Sequence, residues 1–389
     1  MNSRLALLWL AGLDLRVTML ALPPVLPLLH RDLGLSESGV AAVSSLPVLM
    51  LAASSIFGSL LIARLGARAA LIVGLWVVAL SSAFRGAGHS IVILFVLTFV
   101  MGLGIAIIQP AFPALVRQWF PTLVPLATSV WVNGLFVGEA LGASLTLPLV
   151  LPLAGGRWAV SFILWGAFVA LTAVIVAVFS RSTGAAAVPQ HARWFPDFRA
   201  GKQWQLGTLQ AAASVAYFGA NAFLPDYLHV TGQDRFVAPC LAALNIGQLP
   251  ASLALGLIPI RLVARARTAL AIAFSLLAAA AGLFVGGPLT IAAAALVGFC
   301  AAFILVLSFA GPALSAAPAD VARLSAGMYT IGYAAAFLAS LAVGALWDAT
   351  HAAYAALLPI VAAAAIMAAL GPSIGRIIPE TPGDGWAPR

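Results

Sequence analysis

Four ionisable side chains, Asp14, Arg16, Arg85 and Glu139, lie inside long apolar stretches of this chain. At the centre of a bilayer such a group costs ~2.5 to 3.5 kcal/mol on insertion scales unless it faces a cavity or a partner, so each marks a candidate site. Arg16 presents a permanently charged planar fork of donors, which suits a small anion or a nitro or carboxylate group better than lysine would. At 1.5 Å per residue, Arg16 lies about 17 Å and Glu139 about 22 Å above the cytoplasmic boundary, both near the middle third of a core of about 30 Å. Asp14 and Arg16 are two residues apart and point to different sides of one helix, so each needs another partner. Glu139 sits in Asn133-Gly-Leu-Phe-Val-Gly-Glu-Ala-Leu-Gly142, where Gly134, Gly138 and Gly142 permit close helix contact. Two roles stay open for it: a proton carrier, or the structural ion-pair partner of Arg16. Arg85, about 24 Å along its helix, is expected to snorkel to the outer interface as an anchor.

Uncharged polar residues supply a candidate lining: Gln109, Asn133, Tyr217, Asn221, Asn245, Gln248, Tyr329 and Tyr333. Amides and phenols offer donors and acceptors without a fixed charge, as selective small-molecule sites require, and equally serve as glue between helices. Trp131 and Tyr329 could wall such a site or simply pack. Cys240 and Cys300 stand in apolar stretches without CxxC spacing and read as buried structural thiols. No phosphate-loop, HExxH or GxSxG pattern occurs in a fitting context, so no metal, no cofactor and no enzymatic chemistry is expected.

The elements that must hold these residues follow from composition. Of 389 residues 63% are hydrophobic and 8% charged, with a mean hydropathy of +1.09. Soluble domains carry roughly 25% charged residues, so lipid must be the solvent here. Apolar runs give an all-α membrane protein of twelve spans, at 5–29, 38–63, 69–87, 91–116, 124–150 and 156–179, then 204–228, 236–259, 266–286, 288–314, 320–346 and 352–371. The first run is read as a span rather than a cleaved signal, because Asp14 and Arg16 interrupt it and no small-residue cleavage site follows. Of the basic residues outside the spans, only Arg31, Arg157 and Arg235 fall on the side away from the N-terminus, so both termini are expected in the cytoplasm. The net charge of +8 therefore reflects topology, not nucleic-acid binding.

The longest polar interruption divides the chain into a six-helix bundle at 1–180, a cytoplasmic linker at 181–203, a second bundle at 204–371 and a tail at 372–389. Basic connectors recur in both halves, Ala63-Arg-Leu-Gly-Ala-Arg68 after the second span and Ile260-Arg-Leu-Val-Ala-Arg-Ala-Arg267 after the eighth. Such an internal repeat suits alternating access about a midplane site. Arg64 and Arg68 are read as gate residues that cap helix ends, or as plain topology signals.

Several strings carry a family resemblance: Leu13-Asp-Leu-Arg16, Leu46-Pro-Val-Leu49, Pro113-Ala-Leu-Val-Arg-Gln-Trp-Phe-Pro121 and Leu324-Ser-Ala-Gly-Met-Tyr-Thr-Ile-Gly-Tyr333. Through them the chain resembles the major facilitator superfamily and, within it, the cyanate and 2-nitroimidazole transporters. One departure is Ala63, where the superfamily's loop signature has an acidic residue. The resemblance implies a monomeric secondary transporter of the bacterial inner membrane, which moves a small anionic or nitro-bearing solute. In that fold the first and fifth helices are neighbours, which would let Arg16 and Glu139 couple. Around Glu139 the glycines also resemble the fifth-helix signature of proton-coupled drug antiporters, so proton-coupled efflux is the nearest rival. A channel or sensor is the rival of another class.

Overall fold

The computed structural model describes residues 2–34, 37–87, 90–180 and 193–378. The first twelve residues of the expected linker, 181–192, and the tail from 379 onward lie outside the described residues. Among those described, eleven helical segments are long and apolar enough to cross a membrane, from Ser3–Leu29 to Ala353–Ile377. The remaining expected span, the seventh, is the 30-residue helix Gly201–Val230. It falls short of that apolar measure because its interior carries Gln210, Ser214, Tyr217 and Asn221, which bond within the protein rather than to water. Lipid is met by exposed apolar side chains such as Phe57, Phe84, Val92, Leu171 and Phe274.

The chain divides into two compact units. One comprises Met1–Trp119, Val130–Pro196 and Ala319–Ala326; the other comprises Phe120–Ser129, Asp197–Pro318 and Gly327–Arg389. In the first unit the second span (Glu37–Leu65) and the third (Ala67–Phe84) both pack on the fourth (Ile91–Trp119), while the sixth (Trp158–Phe179) packs on the first (Asn2–Leu20) and the third. The second unit repeats this set of neighbours. There the eighth span and the ninth (Ala266–Val285) pack on the tenth (Leu289–Ser315), and the twelfth (Leu358–Leu370) packs on the seventh and the ninth. The internal repeat read from the connectors is thus a repeat of helix pairings.

Two breaks matter for the site. The first span stops at Leu20, passes through a single 3₁₀ turn at Pro23–Val25 and resumes as Leu26–Leu33. Prolines 23 and 24 have no N–H, so the carbonyls of Met19 and Leu20 lose their helical donors. The Leu22 amide turns to the Met19 oxygen at 3.4 Å, which leaves the Thr18 carbonyl without the donor a continuous helix would give it. A buried cluster of Leu22, Val25, Leu29, Val43, Leu94, Trp158 and Phe162 fixes the second piece, and the Trp158 indole N–H donates to Asp32 at 2.9 Å. The eighth span likewise divides at Gly247 into Val237–Ile246 and Gln248–Leu257.

Candidate functional site

In the first unit the candidate residues line a seam between the first and fifth spans. A Cβ on Gly134 would meet the Trp9 carbonyl oxygen, and one on Gly138 would meet that of Leu13. Only glycine lets two backbones approach this closely, so the small-residue spacing does here what it promised. Beside that seam Arg16 is 6% exposed and Glu139 5% exposed, one on each helix. The Arg16 Nη1 donates to the Met19 sulfur at 3.7 Å, one turn before the break. Asn133 accepts from the Trp9 indole at 3.0 Å. Trp131 is fully buried and stacks on Phe112 with centroids 4.5 Å apart. Gln109 is buried on the fourth span, which also touches the first.

Asp14 lies on the same helix with no exposed surface, and the Thr172 hydroxyl of the sixth span faces its carboxylate. The same hydroxyl also lies within a long hydrogen bond, 3.4 Å, of the Phe168 carbonyl.

Arg85 corrects a sequence expectation. It does not snorkel; the side chain is 0% exposed and turns inward. Its Nη2 donates to the Thr18 carbonyl at 2.9 Å and to the Ser82 hydroxyl at 3.4 Å, and its guanidinium lies 4.3 Å from the Phe162 ring centroid. Depth along a helix gives the level of a residue and not its direction, and here the orphaned Thr18 carbonyl attracts the charge inward. A hydrogen bond to a charged group contributes ~1.5 to 3 kcal/mol and a desolvated cation–π contact about 2 kcal/mol. Burial of the ion costs several kcal/mol, so these contacts offset it only in part while Nε and Nη1 make no hydrogen bond among the described residues.

The second unit holds a polar and aromatic group without a buried charge. Tyr217 donates to the Asn245 side-chain oxygen at 2.8 Å, and Gln248 donates to the same oxygen at 3.2 Å across the division of the eighth span. Asn221 donates back to the Tyr217 carbonyl at 3.1 Å. Tyr329 and Tyr333 are buried one turn apart with their rings near parallel, 6.2 Å between centroids, and Phe309 meets Tyr329 edge-on. The Tyr329 hydroxyl has no hydrogen-bond partner among the described residues. One network was missed from sequence: Ser308 donates to Gln210 at 2.6 Å, and Gln210 donates to Ser214 at 3.0 Å. Its signal was a glutamine one turn from a serine within an otherwise apolar run.

Of the two loop arginines, Arg68 donates to the Ser180 hydroxyl at 2.6 Å and the Ala177 carbonyl at 2.8 Å, capping the sixth span of its own unit, and Arg64 is exposed. Cys240 and Cys300 are free and buried. No group of three or more metal-ligating side chains occurs among the described residues.

Comparison with known proteins bears on all of this. The chain is 24% identical over 387 residues to the uncharacterized transporter YycB of Bacillus subtilis, across 96% of this chain and 95% of that one. It is 26% identical over 260 residues to the cyanate transport protein CynX of Escherichia coli, across 64% of this chain and 65% of that one. The fold matches that of the E. coli fucose:proton symporter FucP with a TM-score of 0.73 at 14% identity, covering 95% of this chain and 97% of that one. Residues 7–340 match the model of the Major Facilitator Superfamily. With two units of repeated helix pairings and nearly all of its length matched, the chain belongs to the Major Facilitator Superfamily and is a multi-pass membrane transporter, not an enzyme.

Proposed function

We propose that this transporter is a secondary carrier for a small anionic or nitro-bearing polar solute, in the bacterial inner membrane with both termini cytoplasmic. Arg16 reads the negative end of the solute. Glu139, across the glycine seam, sets the charge balance at that point, either as a carrier of protons or as the partner that holds Arg16 when no solute is bound. Tyr217, Asn221, Asn245, Gln248, Tyr329 and Tyr333 contribute uncharged walls, with Gln109 and Asn133 beside the seam. The observation that carries the reading is a guanidinium buried midway along the first span, on a helix fixed against its neighbour by backbone contact. A fixed helix holds the planar fork in one orientation, which a small planar anion rewards with paired charge-assisted hydrogen bonds. The cyanate transport named for one relative supports the size and sign of the solute.

Uptake of labelled cyanate into proteoliposomes tests this, with nitrate and a 2-nitroimidazole as competitors and with or without an imposed pH gradient. Saturable uptake and counterflow support a carrier and exclude a pore. Cyanate uptake that proceeds without a proton gradient sinks the drug-efflux rival. No saturable transport of any of the three solutes sinks the proposal.

A further inference from the structure

Arg85 carries a charge that its surroundings meet only in part. The side chain is 0% exposed, and its Nε and Nη1 donate to nothing among the described residues. An arginine does not shed its proton, so burial leaves it a cation. What holds it is uncharged: the Thr18 carbonyl freed at the break of the first span, the Ser82 hydroxyl at a long 3.4 Å, and the face of Phe162. The Thr18 hydroxyl is wholly buried too and has no hydrogen-bond partner among the described residues. It belongs to the residue whose carbonyl Arg85 grips at 2.9 Å, so a spare O–H stands beside the spare N–H groups.

No carboxylate of the first unit balances this cation. Among the described residues Arg85 forms no ion pair. Asp14 faces Thr172, whereas Arg85 lies on Phe162 of the same helix. From 162 to 172 the sixth span rises about 15 Å, so the two charges address different levels of it. Asp32 is bonded through one oxygen to Arg31 and through the other to the Trp158 indole. A buried charge persists where a counter-charge and hydrogen bonds meet it, and leaving it unpaired is strongly destabilising.

We infer that the counter-charge comes from solution: Arg85 and Thr18 hold a small monovalent anion of the halide class, such as chloride, as a resident ion of the first unit. The ion accepts a hydrogen bond from a spare N–H of Arg85 and another from the Thr18 hydroxyl. A single negative charge neutralises the guanidinium, and a small sphere fits beside groups that have no exposed surface. Arg85 lies away from the glycine seam and touches the first span at its break, so the ion steadies that break and is not cargo. Nothing in this depends on which solute is carried.

Thermal melting of the full-length protein in detergent tests this with no transported solute present. Chloride or bromide replaces gluconate, which is too bulky for a closed site, at constant ionic strength. In wild type the melting temperature is expected to rise saturably with halide, by about 2 °C once the halide exceeds its dissociation constant tenfold. Arg85→Gln loses the rise. Thr18→Val keeps it but needs about tenfold more halide, the scale of a hydrogen bond to an ion. Arg16→Gln keeps it unchanged, which separates the resident ion from the solute site. Where Arg85→Gln does not fold, Thr18→Val decides, together with the anomalous signal of bromide in wild-type crystals, expected beside the Arg85 guanidinium. A wild-type melting temperature indifferent to halide overturns the proposal. So does a rise unaltered in Arg85→Gln or Thr18→Val, or one that disappears in Arg16→Gln.

Discussion

The seam of the first and fifth spans differs from that of the seventh and eleventh in what it sets against its glycines. In the first unit, Gly134 and Gly138 face the backbone carbonyls of Trp9 and Leu13. At the seam of the seventh and eleventh spans in the second unit, Gly207 faces the Ile331 side chain, and Gly327 and Gly332 face the side chains of Gln203 and Gln210, whereas between the eighth and tenth spans Gly247 and Gly298 face the backbone carbonyls of Ala295 and Leu244. The contents of the seams differ too. Asp14, Arg16, Arg85 and Glu139 are the buried charged residues among those described, and all belong to the first unit. The buried polar side chains of the second unit, such as Gln210, Gln248 and Ser308, are uncharged. Backbone packed on backbone holds an orientation, as a charge-reading group requires. Side chain packed on glycine can adjust, as a wall that must fit a solute requires.

The comparison breaks most readily at the glycines. Gly138→Ala drives a methyl into a carbonyl that cannot move without the helix, so we expect at least a tenfold fall in transport and a lower melting temperature. Gly327→Ala meets only the flexible end of Gln203 and is expected to stay within about threefold of wild type. Equal damage from the two substitutions would remove the distinction between a rigid and an adaptable seam. A smaller effect comes from Gln210→Leu, which leaves the Ser308 and Ser214 hydroxyls without their buried partner. The expected loss is ~1 to 3 kcal/mol of stability, read by thermal melting in detergent, with little change in the KM for cyanate. Tyr217→Phe is milder still. Removing its bond to Asn245 is expected to raise KM about two- to tenfold while the maximal rate holds, the scale of one neutral hydrogen bond at ~0.5 to 1.5 kcal/mol.

Most of the fold was legible because its determinants are local. Apolar run length located the spans, and the recurring basic connectors marked the repeat that reappears as repeated helix pairings. The seventh span was legible by length although its polar interior depresses its hydropathy, since a run of 30 residues broken by isolated glutamines, a tyrosine and an asparagine still suffices to cross. The glycine spacing around Glu139 announced a close contact, and the seam with the first span is that contact.

What was not legible depends on direction and on partners remote in sequence. Arg85 was placed at the right level and turned the wrong way, because its partner is a carbonyl 67 residues earlier, left without its helical donor where the first span breaks. Trp131 offered no clue that Phe112 lies flat against it. Arg68 carried a topological signal in the sequence, and only the fold reveals that it caps the sixth span.

The central claim is that the first unit reads charge through Arg16, and its most direct measurement is the KM for labelled cyanate in Arg16→Lys and Arg16→Gln proteoliposomes. If the planar fork reads the solute, Arg16→Gln abolishes saturable uptake and Arg16→Lys raises KM tenfold or more, because a point charge keeps the attraction and loses the paired geometry. Normal transport by both variants, with wild-type KM, would contradict the account.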